Sequence, residues 1–212
     1  MMLRRRRIAL WIGAIICIIA MVGCGRKTPE ETFVLAEKTL NGLESYSTIL
    51  TYNIMDGDEV REYVFKQWVS MPSCFKIELM EPADLSGKTI LSDGEDILIS
   101  YPKVGDSIRF EMKTLEQQRP LFIGDFINSY WLSPEVEKRV EVEDGVEYVV
   151  LRCPVRGIGI SKAYQEFWLR APKMVPIRMV IYDEDNDVSS LILFDDFNDS
   201  WEAEENFFEI KD

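Results

Sequence analysis

The sequence has 212 residues with 47% hydrophobic and 29% charged side chains, and its 37 acidic against 24 basic residues give a net charge of −13. This acidic excess repels phosphate groups, which argues against nucleic acid as a partner. Histidine is absent, so the composition excludes Ser-His and Cys-His nucleophile pairs and every zinc site that needs a histidine ligand.

The N-terminal residues 1–23 have the features of a lipoprotein signal peptide. Four arginines at positions 4–7 precede an apolar run over residues 8–22, which is shorter than the ~20 residues that a bilayer-spanning helix needs. Cys24 directly follows small and apolar residues, as in a lipobox. We predict cleavage before Cys24, a covalent diacylglycerol on its thiol and no other cofactor. Residues 24–29 would then be a lipidated tether.

An uncleaved signal anchor is the alternative interpretation, because positive charges before an apolar run stay cytoplasmic in both cases. Either interpretation places the rest of the chain on the outer face of the cytoplasmic membrane. If the protein is a lipoprotein, we expect only the lipid anchor to attach it to the membrane, because the acidic domain that follows is repelled by anionic headgroups.

Residues 30–212 are long enough to form one domain with a sizeable core. Two cysteines, Cys74 and Cys153, belong to this domain. They could pair in an oxidising compartment. Both lie in strand-like segments, which favours two separate buried thiols and leaves the disulfide as the alternative.

A helix is predicted after Thr28, because Thr28, Pro29 and Glu31 form a capping-box pattern. Apolar residues then recur at three- and four-residue spacing up to a stop at Asn41-Gly42. Beyond it, alternation with a period of two predicts antiparallel strands joined by tight turns. The strands of the first half are predicted at residues 45–54, 59–69, 74–80, 88–92, 95–101 and 107–113.

Residues 121–132 are the most apolar internal segment, in which Phe122, Phe126 and Tyr130 lie four residues apart. The pattern predicts a short helix that is buried on more than one side, as a plug inside a curved sheet. The acidic run 183–187 is not followed by the glycine and glutamate of a calcium loop, which favours a hairpin turn. Strands are predicted at 135–142, 146–153, 163–169, 177–182 and 188–197. The whole pattern indicates an α+β domain with about nine or ten strands.

Aromatic side chains are numerous for a chain of this length. The plain interpretation of each is a place in the core between sheet and helices, but together they could line an apolar cavity for an acyl chain or a partner. No residue is assigned a catalytic or metal-binding role. The residues that we assign to this cavity are Tyr63, Phe65, Phe75, Phe122, Phe126, Tyr130, Trp131 and Trp168.

Two segments resemble the LolA/LolB-type lipoprotein family. One is residues 88–102 (KTILSDGEDILISYP), and the other is residues 167–176 (FWLRAPKMVP), which precede a strand, an acidic turn and another strand. This resemblance implies an incomplete β-barrel, closed by helices, that holds acyl chains. The leader, size and layout are also similar to those of the clostridial germination lipoproteins of the GerS group. That similarity implies a role in spore germination of a Gram-positive bacterium, with a cell-wall amidase as the partner.

Two classes of function are compatible with the sequence. The first is a non-enzymatic, membrane-anchored lipoprotein that binds an acyl chain, another lipoprotein or an envelope protein through a concave face or a sheet edge. The second is an envelope hydrolase that uses two carboxylates for acid–base chemistry. A pair of acids inside a cleft would favour the hydrolase, and an apolar cavity without such a pair would favour the binding module.

Overall fold

The computed structural model of the protein describes residues 27–112, 121–155 and 163–211. The predicted signal peptide, the lipidation site Cys24 and the first half of the tether (residues 24–26) lie outside these ranges. Neither described helix combines the length and the apolar character that crossing a membrane requires.

The first helix, α1 (Pro29–Asn41), begins where the capping-box pattern predicts. The Thr28 hydroxyl accepts a hydrogen bond from the backbone N–H of Glu31 at 3.2 Å, and the Glu31 carboxylate accepts one from the N–H of Thr28 at 3.0 Å. Ala36 and Leu40, one helical turn apart, are buried. The helix therefore packs against the rest of the protein with one apolar face.

Within the described residues, eleven antiparallel strands form one open sheet. Each of them corresponds to one of the strand segments predicted from the sequence, although the expected total was about nine or ten. The strands are β1 (Ser45–Asp56), β2 (Glu59–Ser70), β3 (Cys74–Glu81), β4 (Thr89–Asp93), β5 (Asp96–Tyr101), β6 (Asp106–Glu111), β7 (Glu137–Glu143), β8 (Val146–Pro154), β9 (Tyr164–Arg170), β10 (Val175–Tyr182) and β11 (Val188–Asn198). Their order is β6-β5-β4-β3-β2-β1-β11-β10-β9-β8-β7. The first and last strands therefore pair in the middle, and the edge strands β6 and β7 are not paired with each other. This arrangement confirms the predicted α+β fold with an incomplete barrel.

The second helix, α2 (Ile123–Leu132), packs with α1 on the inner face of this sheet. Side chains alternate between the two faces along each strand. Phe167 and Leu169 of β9 belong to the large core beneath the helices, whereas the intervening Trp168 belongs to a smaller cluster on the outer face. The main hydrophobic core is therefore the layer between the sheet and the two helices.

Helix α2 is present as predicted, but the expectation that it is buried on more than one side is wrong. Phe126 and Tyr130 are 1% and 3% exposed, whereas Trp131 and Leu132 in the last turn are 48% and 66% exposed. The physical reason is that, in the described part of the chain, the sheet covers only one side of the helix. Apolar composition all around α2 therefore does not correspond to burial all around it.

The segment after β11 returns to the outer face of the sheet. Phe207 packs edge-on against Trp68 of β2, with ring centroids 5.9 Å apart, and against Trp201 at 5.3 Å. The ammonium group of Lys76 lies 5.5 Å from the centre of the Phe207 ring. This segment therefore covers an aromatic side chain that the strand alternation places outside the main core.

The two cysteines of the domain are separate thiols rather than a disulfide. Burial raises the pKa of the Cys153 thiol to about 11, and burial together with the charge of Asp93 raises the pKa of Cys74. Because the thiolate is the reactive form, we expect the folded protein at pH 8 to resist alkylation by iodoacetamide at Cys153 and to react slowly at Cys74. Mass spectrometry before and after unfolding in urea measures this difference. Rapid alkylation of Cys153 in the folded protein would contradict its burial.

Candidate functional site

A surface cleft of about 260 Å³ lies where α1, α2 and the turn between β2 and β3 meet, and we call it the α1–α2 cleft. The buried part of its lining consists of four apolar side chains: Leu40, Val69, Phe75 and Phe122. Asn41 and Asn128 also line the cleft and are exposed at its mouth. An apolar floor with a few polar groups near the opening is the usual composition of a binding site. This cleft is therefore the candidate site.

The two walls of the cleft approach each other most closely at Gly124. A Cβ atom at this position would lie 3.1 Å from the sulfur of Met71, which is tighter than an ordinary van der Waals contact. Met71 is held through its backbone, since its N–H donates to the carbonyl of Glu44 at 2.8 Å. The absence of a side chain at residue 124 thus lets α2 pack directly on the β2–β3 turn.

Two buried polar side chains of the sheet hold the start of α2. The Tyr46 hydroxyl donates to Gln67 Oε1 at 3.2 Å and accepts from the N–H of Ile123 at 3.4 Å, while Gln67 Nε2 donates to the Leu121 carbonyl at 3.3 Å. Phe122, the residue before the helix, has no side-chain oxygen to cap these groups. Burial raises the pKa of Tyr46, so its hydroxyl stays protonated and can donate. The sheet therefore fixes the position of one wall of the cleft.

Four of the eight aromatic residues predicted to line a cavity lie in or beneath α2. Phe75 and Phe122 line the α1–α2 cleft, with ring centroids 4.6 Å apart. Phe126 stacks on Phe167 of the sheet at 4.8 Å and on Tyr130 at 5.9 Å. The inner face beneath this part of α2 is therefore filled by the protein's own rings.

The other four aromatic residues lie elsewhere. Tyr63 and Phe65 stack on each other in the middle of β2, with ring centroids 6.2 Å apart. Trp131 is exposed at the end of α2, and Trp168 belongs to the outer-face cluster. The prediction that Trp131 and Trp168 line an inner cavity is wrong. Helix α2 packs on the sheet with the side that carries Phe126, which leaves Trp131 exposed. Strand alternation places Trp168 on the outer face of the sheet.

The outer face carries a network around the buried carboxylate of Glu166, whose side chain is 4% exposed. Arg139 donates to both of its oxygens at 2.9 Å, and Arg152 donates to one of them at 3.2 Å. The indole N–H of Trp168 and the hydroxyl of Tyr182 also donate to this carboxylate. Burial would raise the pKa of Glu166, but the hydrogen bonds and positive charges of the arginines outweigh it and lower the pKa. Glu166 is therefore ionised at neutral pH.

A second carboxylate, Glu37, joins α1 to α2 and to β7. The Tyr130 hydroxyl donates to Glu37 Oε1 at 2.7 Å, and Lys138 pairs with the same oxygen. Burial would raise the pKa of Glu37, but its bonds to Lys138 and Tyr130 lower the pKa. This carboxylate is therefore also ionised at neutral pH, and its two hydrogen bonds connect α1 with α2 and with β7.

These pKa shifts bear on the hydrolase hypothesis. A general acid that works at neutral pH needs a raised pKa, whereas the pKa of both Glu37 and Glu166 is lowered.

Within the described ranges, no three cysteine or carboxylate side chains are grouped so that they could hold a metal ion. The acidic run 183–187 is a hairpin turn, as predicted, in which Asp183 Oδ1 accepts from the N–H groups of Asp185 and Asp187.

Gln67 and Glu166 were not predicted from the sequence as functional or structural polar residues. The position of Gln67 could have been recognised from the sequence pattern. It shares a strand face with Phe65 and Val69, which makes it a polar residue at a predicted core position. Glu166 had no local signal, since its arginine partners come from two other strands.

A family model described as sporulation protein YdcC-like matches residues 5–208 of the chain. The sporulation protein YdcC of Bacillus subtilis (strain 168) is 22% identical over 107 residues, which are 50% of this chain. The match spans 32% of the length of that relative.

Solved structures with a similar fold come from several bacteria. An uncharacterized conserved protein from Thermus thermophilus has a TM-score of 0.52 at 14% identity, over 88% of this chain and 95% of that one. A putative outer membrane lipoprotein-sorting protein domain from Vibrio parahaemolyticus has a TM-score of 0.50 at 14% identity, over 86% and 97%. The complex of the CwlD amidase with the GerS lipoprotein from Clostridioides difficile contains a similar chain, with a TM-score of 0.46 at 24% identity, over 82% and 97%. The fold predicted from the sequence, an open antiparallel sheet with helices on one face, is therefore shared with the Thermus thermophilus and Vibrio parahaemolyticus structures.

Proposed function

The chain belongs to the YdcC-like sporulation protein family, and from that premise we propose that it is a non-enzymatic lipoprotein that binds a partner protein of the cell envelope during sporulation or germination. A diacylglycerol on Cys24 would hold it on the outer face of the cytoplasmic membrane. The α1–α2 cleft would receive the partner. The lowered pKa values of Glu37 and Glu166 give the hydrolase alternative no support.

The observation that carries this proposal is the size and lining of the α1–α2 cleft. Its volume of about 260 Å³ is slightly below the ~300–1,000 Å³ of small-molecule sites, so it suits one or two side chains better than a long acyl chain. The buried rings of Phe75 and Phe122 would desolvate an apolar anchor residue of the partner. Asn41 and Asn128 at the mouth can form hydrogen bonds with the partner's backbone.

We expect Asn128→Arg to weaken partner binding at least tenfold, or about 1.4 kcal/mol. The long charged side chain would obstruct the mouth of the cleft, while the exposed position leaves the core intact. Isothermal titration calorimetry measures this with a purified partner. The first candidate, named by the sequence resemblance, is a cell-wall amidase of the same organism.

The matched control is Val104→Arg, because Val104 is 78% exposed on the turn between β5 and β6. It adds the same charge away from the cleft and should bind like the wild type. Unchanged affinity in both variants would refute the cleft as the binding site. A lipid that co-purifies with the wild type and is lost in Asn128→Arg would instead show that the cleft holds an acyl chain.

A further inference from the structure

Three apolar side chains at one end of the body are exposed: Trp131 by 48%, Leu132 by 66% and Val34 by 64%. We call these residues the α2-end patch. Large apolar side chains that are exposed together mark contact surfaces more often than single exposed ones do.

The two helices run antiparallel, which places their opposite termini together. Leu40 and Asn41, near the end of α1, line the same cleft as Ile127, in the middle of α2. Earlier in α1, Glu37 is bonded to Tyr130, later in α2. Moving back along α1 therefore corresponds to moving forward along α2, and the start of α1 lies near the end of α2.

The patch residues lie within three residues, along the chain, of the bond between Glu37 and Tyr130. Val34 precedes Glu37 by three residues, so both lie on the same side of α1. The Trp131 ring packs edge-on against Tyr130, with centroids 5.3 Å apart, and Leu132 is the next residue. All three patch residues therefore belong to one end of the helix pair.

The tether enters the body at this same end. Thr28 caps α1, and Cys24 precedes it by four residues, which an extended chain spans in at most ~14 Å. Val34 follows Thr28 by six residues, or ~9 Å along the helix axis. The headgroup region of a leaflet is roughly 5–8 Å deep. An acylated Cys24 would therefore hold the α2-end patch within reach of the headgroups.

We propose that the α2-end patch inserts into the headgroup–acyl boundary of the leaflet that holds Cys24, with Trp131 as the interfacial anchor; this rests on the lipid anchoring proposed above. Tryptophan favours this boundary because its ring has both an apolar body and a polar N–H group. Glu30 and Glu31 nearby are exposed, and their negative charges are not attracted to anionic lipids. We therefore expect the contact to depend on the apolar side chains, so that the patch also binds zwitterionic lipid. The α1–α2 cleft, at the opposite end of α1, would then face away from the membrane.

The test uses the full chain, purified from its membrane and placed in phosphatidylcholine vesicles whose acyl chains are brominated near the headgroup. Bromine quenches tryptophan on contact, so we expect the wild type to lose a component of its emission that Trp131→Phe does not lose. Val34→Ser combined with Leu132→Ser should reduce this quenching while Trp131 is retained. Val104→Ser should leave the quenching unchanged, because Val104 lies next to β6, at the opposite edge of the sheet from β7.

Mass spectrometry of the same sample determines whether Cys24 is acylated, which separates the two proposals. Quenching of Trp131 in a protein whose Cys24 is acylated supports the patch contact, whereas an unmodified Cys24 refutes the anchor and, with it, the argument that places the patch at the headgroups. An acylated protein whose Trp131→Phe variant is quenched as much as the wild type overturns the patch contact and leaves the anchor standing. Shielding of Trp131 by a co-purified protein also overturns it, because the patch would then be a protein-docking surface.

Discussion

Phe126→Ala is expected to destabilise the protein by about 3–5 kcal/mol, as truncations of fully buried phenylalanines do. The Phe126 side chain is 1% exposed and stacks on Phe167 at 4.8 Å and on Tyr130 at 5.9 Å. Alanine would leave a cavity between α2 and the sheet, and the paired strands cannot close in to fill it. For a domain of this size the melting temperature should fall by roughly 10 °C.

Trp131→Ala is the matched control for this prediction. It removes a larger aromatic side chain from the same helix, but Trp131 is 48% exposed, so we expect a loss of no more than about 1 kcal/mol. Urea unfolding followed by circular dichroism gives the free energy of unfolding of both variants. Equal losses would contradict the assignment of the Phe126 side of α2 as its packed side.

Local signals predicted the elements of this fold well. The capping box at Thr28 and the period-two alternation of the strands depend on residues close in sequence, and both were confirmed. The turn chemistry at 183–187 is equally local. These features could be predicted because neighbours in the chain determine them.

The candidate site could be predicted only in part, because it depends on contacts between distant segments. Phe75 and Phe122 were identified as cavity residues by their apolar character, but the cleft also needs Gly124 against Met71 and the end of α1. Trp168 was misplaced because the sequence shows the alternation along β9 without showing which face the helices cover. The pairing of strands and the side on which helices pack are properties of the whole chain.

Glu166→Gln is the second substitution expected to have a large effect, about 2–4 kcal/mol in the free energy of unfolding. Removing one partner of a buried ion pair costs about 3–5 kcal/mol, because the remaining charge is left unpaired. The effect is smaller here because the side chains of Arg139 and Arg152 are 37% and 18% exposed and keep part of their hydration. Glu141→Gln removes the other partner of Arg139 at an exposed site, and should cost less than about 1 kcal/mol.

The pH dependence gives this prediction a second readout. The pKa of Glu166 is lowered in the folded protein relative to about 4.5 in the unfolded chain, so its stabilising contribution is complete above pH 4.5 and is lost as the pH falls through the folded-state pKa. The difference in the free energy of unfolding between wild type and Glu166→Gln should therefore be constant from pH 7 to about pH 5 and shrink under more acidic conditions. Urea titrations across this range measure it. A difference that persists unchanged to pH 2 would mean that glutamine disturbs the packing of Trp168 and Tyr182, and that the charge of Glu166 does not stabilise the outer face.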